Sequence, residues 1–110
     1  MEQQYRQGDV LIVATRQLPA GLVPAPRDRG RIVLAEGEAT GHAHAIAERG
    51  AILYEGDGEE RFLEVETAVA LRHEEHGAIT LPPGTYRVIR QREYTPRPSG
   101  GDARWRYVAD

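Results

Sequence analysis

Apolar residues in this chain fall in short runs, and each run is closed by glycine or proline. After a turn at Arg6–Asp9, Val10 to Ala14 reads as a short apolar strand. Pro19, Gly21, Pro24 and Pro26 make the stretch from Gln17 to Arg29 an extended loop, since proline removes donors and fixes φ. Arg31 to Ala35 is a second strand, ended by Gly37. From His42 to Glu48 the pattern alternates, and a period of two puts His42, His44, Ile46 and Glu48 on one face against Ala43, Ala45 and Ala47. An alanine-rich helix is the competing reading, but Gly41 and Gly50 bracket the segment, and residues two apart diverge by about 200° on a helix.

Ala51 to Glu55 and Arg61 to Glu66 flank a hairpin signal at Gly56-Asp57-Gly58. Ala68 to His73 follows, then a turn at Glu74-Glu75-His76-Gly77 in which Gly77 suits a left-handed conformation. Ala78 to Leu81 is short, Pro82-Pro83-Gly84 turns again, and Thr85 to Tyr94 is the longest expected strand. Thr95 to Ala103 reads as a flexible loop, and Trp105 to Val108 as a last strand stapling the chain to its body. Short strands separated by turns, with no convincing helix, predict an all-β barrel or sandwich forming a single domain over residues 1–110. A small barrel of the GroES-like or β-clip kind is the alternative, on the strength of the Gly8-Asp9-Val10 opening.

Composition narrows the function. No apolar run approaches the ~20 residues of a membrane span, and the first residues lack the character of a signal peptide. With no cysteine the chain has no disulfides, any metal must be held by nitrogen and oxygen, and a cytoplasmic location is expected. A net charge of -3 argues against a nucleic-acid partner. A small-molecule ligand and a homodimer remain as partners.

The four histidines sort into two close pairs, His42/His44 and His73/His76. Neutral imidazole is the commonest protein ligand for zinc, iron, manganese or nickel, so this pairing points to a divalent transition-metal site. On a strand, His42 and His44 can close on one ion, with Glu48 as a further ligand. His73 and His76 either face each other across a hairpin with Glu74 and Glu75 at its centre, or a bulge at Gly77 turns one away. Parity with Val69 and Leu71 favours His73 as the inward residue. The ordinary alternative is half-exposed histidines bonded to carboxylates. Near the C-terminus Arg87, Arg90 and Arg92 interleave with Tyr86 and Tyr94, which reads as an amphipathic edge strand paired with the acids at positions 59–66.

The stretch Gly37, His42, His44, Glu48, Gly56 resembles the first metal motif of the cupin superfamily. Gly77, Pro82 and Gly84 are similar to its second motif, but Arg87 stands where a ligand histidine belongs. The resemblance implies a β-barrel fold and a metal on His42, His44 and Glu48. His73 or His76 would then replace the missing ligand, and Arg87 and Tyr86 would face a small anionic substrate. The implied function is a metalloenzyme or sensor, and the alternative a non-catalytic, phage-type accessory module with structural histidines.

Overall fold

The computed structural model describes residues 3–36 and 41–90. The expected loop at 95–103 and the strand carrying Trp105 lie outside them. Strands are β1 (Gln4–Gln7), β2 (Val10–Thr15), β3 (Val23–Pro24), β4 (Ile32–Glu36) and β5 (Ala43–Ile46). They continue as β6 (Ala51–Glu55), β7 (Arg61–Val65), β8 (Val69–His73), β9 (His76–Leu81) and β10 (Gly84–Arg90). All pairings are antiparallel, in a six-stranded sheet of order β1-β2-β10-β7-β6-β3 and a four-stranded sheet of order β4-β5-β8-β9. The chain is therefore all-β, as its turn-punctuated pattern predicts. Each sheet ends in two edge strands, so the fold is a sandwich rather than a closed barrel.

The hairpins β4–β5 and β8–β9 belong to the small sheet and β6–β7 to the large one, so the chain crosses the core between them. Alternation makes the core: Ile12, Leu63, Val65, Tyr86 and Val88 from the large sheet meet Ile32, Leu34, Ile46, Leu71 and Leu81 from the small one. Each such Leu or Ile contributes about 1.5–3 kcal/mol by leaving water. Tyr86 sits edge-on to Tyr5, and its hydroxyl donates to the Pro82 carbonyl at 2.6 Å across the turn before β10.

Two strands were not legible as such. β1 hides in polar residues, and β3 is an edge strand whose Pro24 removes a donor without breaking a central ladder. The β1–β2 loop is the two-residue Gly8-Asp9, with Gly8 at φ 60°, a primed-type hairpin. Among the described residues, no helix is long and apolar enough to cross a membrane.

Candidate metal centre

β5 and β8 pair Ala45 with Arg72 and Ile46 with Leu71, and that register carried one step further sets His44 beside His73. β8 and β9 pair His73 with His76. Ile46 and Leu71 are fully buried core residues, so the next inward row of the small sheet is His44, His73 and His76. The histidines continue the inward face beyond the apolar core at one end of the sandwich, from buried His44 through half-buried His73 to exposed His76. Ring centroids are 4.3 Å apart for His44 and His73, and 4.7 Å for His73 and His76. His42, just before β5, reaches the same row from the side, 5.6 Å from His73.

Both register shifts of the small sheet flank this row. One lies in β4 between Val33 and Ala35, opposite His44 and Ala45. The other separates Leu71↔Ile79 from His73↔His76, leaving an extra residue on β9. The two arrangements weighed from sequence for the second pair therefore coexist: Glu74 and Glu75 form the turn centre, and a bulge follows. Gly77 is not left-handed, contrary to expectation, and neither glutamate has positive φ. An unprimed turn splays its strands, and the extra residue on β9 absorbs the mismatch.

His42, His73 and Glu74 each offer a ligand atom, all within 4.8 Å of one another. Ligands of a tetrahedral ion sit about 3.4 Å apart, so side-chain rotations of about an ångström close this set on a metal. The sequence pointed to a two-histidine, one-carboxylate set of His42, His44 and Glu48, and the structure assembles that composition from His42 with two other members, His73 and Glu74. Glu74 was read only as a turn residue. Its Oε1 accepts from the Ala43 amide at 3.0 Å, tying the hairpin tip to the start of β5 and holding its carboxyl below the usual range. His73 Nδ1 accepts from the Glu75 amide at 3.0 Å, so ligation through that nitrogen exchanges this bond for one to the ion.

His44 is organised by β1. Gln7 is buried and its Nε2 donates to the Leu71 and Gly77 carbonyls, both at 2.9 Å. That fixes the amide, so Oε1 accepts from His44 Nδ1 at 2.9 Å and the His44 Nε2 lone pair is left free. It faces Asp9 Oδ1 at 3.6 Å. Two acceptors at that separation attract a cation between them. Burial, reinforced by the neighbouring His73, lowers the His44 pKa to about 4, so the ring is neutral at pH 7. Gly8 lies against the same rings, and a Cβ there would come within 2.9 Å of His76 Nε2 and 3.1 Å of His44 Cε1. Gln7 and Asp9 were missed because their contacts with His44 span the two sheets. The only local cue was the Gly8-Asp9 turn.

Three expected site residues are placed elsewhere. Strand β5 ends at Ile46, so Glu48 leaves the alternating face, and its carboxylate accepts from the Ala70 amide and faces Arg72. Tyr86 is a core residue of the large sheet whose hydroxyl is held within its own turn, away from the histidine row. Arg87 lies in the large sheet, along a cleft separate from the histidine row. Arg90 pairs with Asp9 at 3.1 Å, not with the acids at positions 59–66.

Fold and site together define a small antiparallel β-sandwich with a polar, histidine-bearing end. The chain belongs to the family described as Domain of unknown function (DUF8820), which it matches over residues 6–91, a span that includes Gln7, Asp9 and all four histidines. No curated protein and no solved structure matches the chain.

Proposed function

We propose that this protein binds one divalent transition-metal ion through His42, His73 and Glu74, with His44 and His76 beside it in the same row. The observation that carries the reading is the convergence of those three ligand atoms within 4.8 Å. Buried Gln7 supports it by orienting a neutral His44 with its Nε2 lone pair free, the kind of outer support found around metal sites. Nitrogen and carboxylate ligands without thiolate suit zinc, iron, manganese or nickel. Three protein ligands leave a coordination position open to water or substrate, which is the arrangement of a catalytic or sensing site rather than of a closed structural one. We therefore read the protein as a cytoplasmic metalloenzyme or sensor for a small anionic molecule. Of the ligands the cupin resemblance implies, this proposal keeps His42, and it replaces His44 and Glu48 by His73 and Glu74.

Isothermal titration of tag-free, chelator-stripped protein with Zn(II), Mn(II), Ni(II) and anaerobic Fe(II) tests the reading. One-to-one binding of at least one ion is expected, weakened about tenfold or more in His42→Ala, His73→Ala and Glu74→Gln, and unchanged in Glu48→Gln. Absence of stoichiometric binding of all four ions, or full affinity in His73→Ala, overturns it.

A further inference from the structure

A cleft of about 810 Å³ opens between β4 and the central β7–β10 pair of the large sheet, within the range of small-molecule sites. Its apolar wall includes Leu34 and Val88, both buried core residues. Strand parity makes Arg61 and Arg90 inward positions: Arg61 shares its face with Leu63 and Val65, and Arg90 with Tyr86 and Val88. The antiparallel register that pairs Arg87 with Phe62 brings Val88 beside Arg61 and sets Arg90 one diagonal step away. Two guanidinium groups thus stand on one cleft wall.

Arg61 is half-buried, and among the described residues no carboxylate lies within 4 Å of it and no hydrogen bond engages it. Arg90 uses Nε on Asp9 and Nη2 on the Glu36 carbonyl, leaving Nη1 unengaged among the described groups. Burial lowers the proton affinity of Arg61 most; Glu55, its partner across the β6–β7 ladder, opposes that, Arg90 adds to it, and Glu59 opposes it least. A half-buried guanidinium with no hydrogen-bonded acceptor gains from an oxyanion that engages its donors.

We propose that Arg61 and Arg90 hold the carboxylate or phosphate group of a small molecule whose body occupies this cleft. Guanidinium groups present paired donors that match either oxyanion, and charge-assisted bonds of this kind are among the strongest polar contacts. Glu36, Glu55, Glu59 and Glu60 also line the cleft and repel an anion, which confines the charged group to the guanidinium donors of Arg61 and Arg90 and favours a ligand bearing a positive far end. The proposal stands independently of the metal. Arg90 nevertheless connects the two sites, since Asp9 contacts it through Oδ2 and faces His44 through Oδ1.

The test uses chelator-treated full chain, so that failure of metal binding does not affect it. Inorganic phosphate and succinate are titrated calorimetrically at constant ionic strength, with chloride as the reference anion. Saturable binding of at least one of them is expected, and which one binds identifies the group. Affinity should fall about tenfold or more in Arg61→Gln and in Arg90→Gln and stay at the wild-type value in Arg72→Gln, which lies outside the cleft. Arg90→Gln also loses the Asp9 pair, so Arg61→Gln, which breaks no hydrogen bond or ion pair among the described residues, is the deciding variant, with its fold checked by circular dichroism. No saturable binding of either anion to the wild type, or undiminished binding in folded Arg61→Gln, overturns the proposal.

Discussion

His44 should make the metal-free protein acid-sensitive through a single buried ring. It is 2% exposed, and burial lowers its pKa from 6.5 to about 4. In the unfolded chain the same residue titrates near ~6.5. At pH 5 the unfolded state therefore carries a proton here that the folded state does not, and acidification favours unfolding. The contribution is intact above about pH 7 and is lost as the pH falls through the unfolded value toward the folded one. Linkage over pH 7.5 to 5.0 makes the loss about 2 kcal/mol, a shift of roughly 1–2 M in a urea midpoint for a domain of this size. The interval stops at pH 5 because Glu74, also depressed, begins to weaken folding as its carboxyl protonates below that.

The comparison variant is His44→Asn, whose amide nitrogen stands in for Nδ1 as donor to Gln7 Oε1 but does not titrate. Urea melts in chelator at the two pH values should show the wild type losing about 2 kcal/mol more than the variant. Equal losses in the two proteins, or a wild type that gains stability at pH 5, would refute the reasoning.

Two further expectations concern left-handed backbone. Gly8→Ala at φ 60° combines a conformational cost with a clash against His76, whereas Gly58→Ala at φ 63° meets nothing within 4 Å. Urea melts should show Gly8→Ala destabilised by about 1–2 kcal/mol more than Gly58→Ala, and equal effects would mean that Gly8 does not buttress the rings. Arg29, at φ 57°, and Gly30 form a two-residue loop between bridged Asp28 and Arg31, a turn that favours Asn-Gly. Arg29→Asn should raise stability by about 0.5–1 kcal/mol, and a melt showing a loss would contradict the strain assigned to that residue.

What the sequence disclosed was whatever a single strand encodes. Alternation between His42 and Glu48 located β5, and the spacing from His73 to His76 located a hairpin, because period and turn length are local properties. Glu48 was misjudged because alternation was carried past Ile46, where the ladder stops and the chain turns toward Gly50. Glu74 was read only as the turn-centre residue it is, because a carboxylate there is ordinarily solvated, and only the bond of that turn to Ala43 brings it to His42. Gln7 lies 37 residues from His44 and on the other sheet. The packing of one sheet upon the other decides that contact, and no periodicity reports it. The two arginines of the cleft are hidden for the same reason: Arg61 and Arg90 become neighbours only through the β7–β10 register.

The histidine row draws on chain positions around 7–9, 42–44 and 73–76; the last two meet through the β5–β8 pairing of the small sheet, and the first joins them only when the two sheets pack. Such a site belongs to the end of folding, since distant contacts form only after loop closure is complete. An ion held there would act mainly as a latch. It would leave the rate of reaching the native state nearly unchanged and slow the rate of leaving it, lengthening the lifetime of the folded protein in proportion to ion concentration above its dissociation constant.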